Sequence, residues 1–218
     1  MYPGNHALEH PDRPCFVMAD SGETVTYREF EQRANQLAHL LRSHGLQRLD
    51  HYSIFMENNS RYLEACSAGE RAGLYYTCIN SHLTADELAY IVDNSESRVL
   101  ITSRSLQAVA TEALAQCPNV TLCLIVDPSG DVTADSGGLC ADYATSVAEH
   151  PTTPIDDERL GSAMLYSSGT TGRPKGILRD LPDVAPVPPL PLFDFLRALW
   201  RYRADMIYLS PAPLYGSR

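Results

Sequence analysis

Residues 166–177 read YSSGTTGRPKGI. Ser167, Ser168, Thr170 and Thr171 offer four hydroxyl donors within five positions. Gly169 and Gly172 allow sharp bends and let backbone N–H groups approach a ligand closely. Lys175 adds an ammonium, and Pro174 stiffens the approach to it. Converging N–H and O–H donors beside a cation form a cradle for phosphate. The order of residues is not that of a Walker A loop, because Lys175 lies between Pro174 and Gly176 rather than ahead of Ser or Thr. No G-x-G-x-x-G run occurs, so a dinucleotide fold has no support. The cofactor-binding candidates are Ser167, Ser168, Gly169, Thr170, Thr171, Gly172 and Lys175. No residue is assigned a catalytic or metal-ligating role; the i,i+4 pair His6 and His10 lacks further local ligands and reads as a surface pair.

The elements that position this loop follow from periodicity. In TVTYREFEQRANQLAHLLRSHG, Thr26 and Glu29 make a capping box, Phe30, Ala34, Leu37, Ala38 and Leu41 repeat at helical spacing, and Gly45 ends the run. Strands are predicted over 52–56, 75–79, 98–102 and 120–126, with helices over 60–73, 84–94 and 104–116 between them. Thr84 and Glu87 form a second capping box. The strand centres recur roughly every 23 residues, a spacing that admits a helical crossover between parallel strands. The expected fold class is therefore α/β, a parallel sheet covered by helices on both faces. Residues 127–159 read as a loop-rich connection, with a short helix in LCADYATSVAEHP. SAMLYSS, 162–168, reads as a strand that runs directly into the glycine loop. Residues 178–192 form a Pro-rich loop, five prolines falling between 182 and 191. A helix over 193–205 and a strand over 206–210 complete the pattern.

The bulk properties narrow the function. With 218 residues, 44% hydrophobic and 20% charged, the composition is that of a globular chain. The net charge of −10 argues against a nucleic-acid partner, which needs clustered cations. No apolar leader and no membrane-length apolar run are present, and the six cysteines form no C-x-x-C pair. A cytoplasmic location with reduced, mostly buried thiols is expected.

YSSGTTGRPKGI resembles the signature loop of the adenylate-forming (AMP-binding) superfamily. GETVTYREFEQRANQLAHLLRSHGL, MENNSRYLEACSAGERAGLYYTCINSHLTADELAYIVDNS and YLSPAPLY resemble stretches of bacterial fatty-acid–CoA ligases, and the likeness runs from about His6 to Tyr215. It implies an ATP-dependent acyl-CoA ligase: a carboxylic acid, fatty acid by default, is converted to an acyl-adenylate and then to a thioester. ATP and Mg2+ are the implied cofactors and coenzyme A the co-substrate, so the implied partners are small molecules. The candidate loop would hold the β- and γ-phosphates.

The same resemblance implies that 1–218 is the N-terminal portion of the AMP-binding domain. The superfamily's Tyr-Gly-x-Thr-Glu and Thr-Gly-Asp segments, its hinge and its small C-terminal domain are not found. The expectation is a truncated N-terminal fragment, inactive alone. The alternatives are a non-catalytic nucleotide- or phosphate-binding module and an inactive truncated product. Oligomeric state is not legible.

Overall fold

A computed structural model describes residues 3–127, 137–167, 173–186, 191–203 and 206–216. The chain opens with α1 (Pro3–Glu9) and a small antiparallel ribbon, β1 (Pro14–Val17) with β2 (Thr24–Thr26). The main helix α2 (Tyr27–Ser43) starts where the capping box places it. Thr26 N–H donates to Glu29 Oε2 at 2.9 Å, and Glu29 N–H donates to Thr26 Oγ1 at 3.2 Å. Such a cap contributes about 1 kcal/mol.

Six parallel strands then build the sheet: β3 (His51–Phe55), β4 (Tyr75–Cys78), β5 (Ser97–Ser103), β6 (Leu122–Val126), β7 (Cys140–Asp142) and β8 (Ser162–Ala163), in the spatial order β7-β6-β5-β3-β4-β8. Between them run α3 (Tyr62–Ala72), α4 (Ala85–Asn94), α5 (Gln107–Leu114) and α6 (Tyr143–Ala148). The helix expected over 104–116 begins with a 3-10 turn at Arg104–Leu106. Gly73 ends α3 in the left-handed region at φ 66°, where a side chain is strained. Thr84 caps α4 by the same reciprocal device as Thr26 caps α2.

Strand alternation divides the buried side chains between two cores. Tyr52, Ile54, Val99, Ile101, Leu122 and Leu124 face α2, α3 and α6. Phe55, Leu100, Cys123 and Ile125 face α4 and α5. This is the doubly covered parallel sheet that the sequence predicts. The first layer is tied internally by Arg71, whose side chain is fully buried. Its guanidinium donates to both Glu31 carboxylate oxygens at 2.8 Å, and to Asn35 and Ser67, joining α3 to α2.

Four expectations need correction. The loop-rich connection 127–159 contains the edge strand β7, missed because it is three residues long. The strand expected over 162–168 is two: β8 joins the sheet, whereas β9 (Leu165–Ser167) leaves it to pair with β10 (Lys175–Ile177). The Pro-rich loop ends earlier than expected, since α7 (Pro191–Leu199) begins on a proline, whose missing N–H costs nothing in a first turn. No strand forms over 206–210; Ile207, Tyr208 and Leu209 are exposed and have no ladder to join. None of the six cysteines is in a disulfide; Cys117, Cys123 and Cys140 are buried and Cys15, Cys66 and Cys78 half-buried.

Candidate functional site

Two of the seven candidate residues lie at the mouth of a hairpin. β9 and β10 are antiparallel, with Ser167 opposite Lys175, Tyr166 opposite Gly176 and Leu165 opposite Ile177. The Ser167 hydroxyl donates to the Lys175 carbonyl at 3.5 Å. The pair closes the segment 168–174 at its base. Ser168, Gly169, Thr170, Thr171 and Gly172 lie outside the described residues. Lys175 is exposed, has no acidic partner among the described residues, and is the sole lysine of the chain.

The hairpin is fixed to α4. Tyr166 donates from its hydroxyl to Asn94 Oδ1 at 2.8 Å, and Tyr90 donates to the Pro174 carbonyl at 3.2 Å. The Arg173 guanidinium lies 5.0 Å above the centre of the Tyr90 ring. Burial and then the neighbouring Tyr90 push the Tyr166 phenol up to about 12, so it stays a donor at neutral pH. Gly176 is closely packed: a Cβ there would stand 2.4 Å from Met164 Cε and 3.1 Å from the Tyr166 ring, so the Met164 side-chain end would have to move aside. The sequence reading did not single out Tyr90 and Asn94. Their i,i+4 spacing near the end of a capped helix is the signal that marks them as one face.

Two further features occupy the carboxyl ends of the strands. β3 and β5 are neighbours whose following helices, α3 and α5, go to opposite faces, which makes their junction the topological switch point. There Glu57 accepts from the Ser103 and Ser105 hydroxyls at 2.5 and 2.8 Å. Next to it Asn58 clamps the YLSPAPLY segment, accepting from Leu214 N–H at 2.8 Å and donating to the Ala212 carbonyl at 3.2 Å.

A cleft of about 640 Å³ opens beside these residues, lined by Glu23, Arg33, Arg61, Glu64, Asp127 and Tyr143 among others. Arg61 pairs with Glu23 at 2.7 Å and with Glu64 at 3.3 Å, and the Tyr143 hydroxyl donates to Glu64 at 3.0 Å. Burial raises the Glu64 carboxyl to about 7, against the opposing pull of Arg61 and Arg33. Of the two candidates among the described residues, neither Ser167 nor Lys175 lines this cleft.

The hairpin is suited to holding an anion: on a braced frame it presents the Lys175 ammonium, which has no acidic partner among the described residues. Among the described residues no group of three or more His, Cys, Asp or Glu side chains is placed to hold a metal ion. No helix among them is long and apolar enough to cross a membrane.

The sequence profile of the AMP-binding enzyme family matches residues 5–215. The chain is 32% identical over 183 residues to the 3-oxocholest-4-en-26-oate–CoA ligase of Rhodococcus rhodochrous, covering 82% of this chain and 32% of that protein. It is 30% identical over 177 residues to the medium-chain-fatty-acid–CoA ligase of Ectopseudomonas oleovorans, covering 79% of this chain and 32% of that one. The chain thus spans about a third of the length of these curated relatives. Among solved structures, the anthranilate CoA ligase AuaEII in complex with anthranoyl-AMP superposes with a TM-score of 0.70 at 20% identity, over 81% of this chain and 33% of that one. A Rhodopseudomonas palustris protein provisionally assigned as a long-chain-fatty-acid CoA ligase superposes at 0.78 and 22% identity, over 98% of this chain and 51% of that one. At these identities the structural likeness establishes the fold, that of the N-terminal region of CoA ligases.

Proposed function

The chain belongs to the AMP-binding enzyme family, and from that premise we propose that its β9–β10 hairpin holds the phosphates of ATP during acid–thiol ligation. A carboxylate is a poor acyl donor because its leaving group would be oxide. Attack of the carboxylate oxygen on the α-phosphorus forms the acyl-adenylate and expels pyrophosphate; attack of the coenzyme A thiolate on the acyl carbon then expels AMP. The protein's contribution at the hairpin is electrostatic. Donors of 167–172 and the Lys175 ammonium stabilise charge that builds on the departing pyrophosphate. Mg2+ would enter with the ATP held at the 167–175 hairpin and would neutralise part of the phosphate charge there.

The observation that carries this reading is the Ser167–Lys175 closing pair braced by α4, which gives the intervening loop a fixed base. The proposed acid is a fatty acid or a similarly apolar carboxylic acid, in keeping with the medium-chain-fatty-acid and oxocholestenoate ligases among the relatives. We further propose that these 218 residues alone bind phosphate and complete no turnover.

Thermal unfolding with and without Mg-ATP or Mg-pyrophosphate tests the site. A ligand at one hundred times its Kd stabilises by about 2.7 kcal/mol, which raises the midpoint. Lys175→Ala and Thr171→Ala should each diminish that rise. No rise in the unsubstituted chain overturns the phosphate assignment. Pyrophosphate exchange driven by octanoate above a protein-free control overturns the proposed inactivity.

A further inference from the structure

Outside the hairpin, two thiols that no part of the ligase reading uses lie side by side. Cys66 lies in the middle of α3 and Cys78 ends β4, and their sulfurs are 3.9 Å apart. Both are half-buried, and both pack against the core on the α3 side of the sheet. A disulfide bond is about 2.05 Å long, so the sulfurs need to close by under about 2 Å. We propose that Cys66 and Cys78 are a reversible redox modification site, oxidised to a disulfide by hydrogen peroxide.

The two thiols are not equivalent. Hydrogen bonding with Cys66 lowers Cys78 below the ordinary thiol value, against the opposing effects of burial and Glu70. Cys66 is raised, first by that same hydrogen bond and then by burial. In this proposal Cys78, at the end of β4, is the attacking thiol and Cys66, within α3, the resolving thiol. The Cys78 thiolate attacks one peroxide oxygen, the O–O bond breaks, and hydroxide leaves, giving Cys78 sulfenic acid. Cys66 sulfur then attacks Cys78 sulfur. The S–S bond forms, the S–O bond breaks, and the departing hydroxide takes the Cys66 proton as water. Two thiols lose two electrons in all, and one peroxide becomes two waters.

The remaining cysteines serve as internal controls. Cys123 and Cys140 are register neighbours on β6 and β7, but they are buried at 0% and 3% exposure. Burial pushes Cys15 and Cys117 up to about 11, which removes thiolate character at neutral pH.

The folded 218-residue chain is treated with mild hydrogen peroxide, quenched, denatured and mapped. Trypsin separates the two cysteines by cleaving at Arg71, so the link joins peptides 62–71 and 72–98. The expected result is a fall from six titratable thiols to four, a monomer lighter by about 2 Da, and recovery of all six thiols with dithiothreitol. In Cys66→Ser the resolving thiol is gone, and Cys78 should accumulate a dimedone adduct. The proposal is overturned if the link joins Cys123 to Cys140, if intermolecular Cys15 bonds dominate, if Cys78 proceeds to sulfinic acid without a link, or if all six thiols survive. An absent adduct in Cys66→Ser overturns the assignment of Cys78 as the attacking thiol.

Discussion

Between His51 and Val126 the apolar side chains have somewhere to go: alternate residues of β3, β5 and β6 enter one core or the other, and Tyr52, Ile54, Phe55, Val99, Leu100, Ile101 and Leu124 are all fully buried. From Leu165 onward residues of the same kinds stay in water. Leu165, Ile177, Leu178, Phe195, Leu199, Trp200, Ile207, Tyr208 and Leu209 are all exposed, Ile207 at 97%. VLI in β5 and MIYL at 206–209 are comparable runs of apolar residues. The first has a hydrogen-bonded strand on either side and a helical layer on each face. The second has no strand beside it among the described residues. A strand is stabilised by its ladder and its cross-strand pairs, so the run alone does not make one. Clustered exposed apolar residues of this kind mark a surface suited to further contact.

The largest break in this contrast comes from within the sheet region. Arg71→Ala leaves Glu31, at 13% exposure, without its buried partner and opens a void between α2 and α3. A loss of about 3–5 kcal/mol is expected in urea unfolding. A loss under about 1 kcal/mol contradicts the role given to this pair.

Glu64 carries the next effect, and its sign follows from the direction of its shift. Its folded carboxyl titrates at about 7, above the 4.5 of the free group. The folded state therefore holds a proton that the unfolded state has released. Both states are protonated below about pH 4.5, stability falls as pH rises toward 7, and the penalty is constant above that. Glu64→Gln should remove this dependence, gaining about 2–3 kcal/mol on the parent at pH 8 and little at pH 4. Parallel stability–pH curves for the two proteins contradict it.

Substitutions at the hairpin brace sharpen the contrast. Tyr90→Phe and Asn94→Ala each remove one hydrogen bond to 166–174, so global stability should fall by about 1 kcal/mol or less. Phosphate affinity should fall as well, because the loop base loses its fixed position. Calorimetric titration with Mg-pyrophosphate reads this separation; unchanged affinity in both variants contradicts it.

The smallest change in stability belongs to the exposed residues. Replacing Trp200, Ile207 and Leu209 together with Ser should alter stability by only about 0.5 kcal/mol while reducing hydrophobic-dye fluorescence. An effect above about 2 kcal/mol shows that these residues support the fold.

Much of the sheet was legible because local signals agreed with one another. Both capping boxes, the glycine after α3 and the regular spacing of apolar runs each pointed to a boundary that tertiary packing preserves. Strand order is set by long-range packing, and the periodicity does not contain it. β7 and β10 are three residues each and contain Asp142 and Gly176, so neither shows alternation. The burial of Arg71 was hidden as well. In AGERAG it reads as an exposed charge, and only the arrival of Glu31 and Asn35 from α2 makes an interior position tolerable. At the candidate site the donor types and the lysine were visible at once. The brace was not, because Tyr90 and Asn94 lie about eighty residues earlier and meet the hairpin only through the fold.

Lys175 offers the most direct test, because it is the sole lysine and any ε-amine label reports on it alone. Limited acetylation of the chain, read by peptide mass with the N-terminal amine as internal reference, should slow at Lys175 in the presence of Mg-ATP or Mg-pyrophosphate and remain unchanged with adenosine. Equal acetylation of Lys175 under all three conditions contradicts the claim that this hairpin holds the phosphates of ATP.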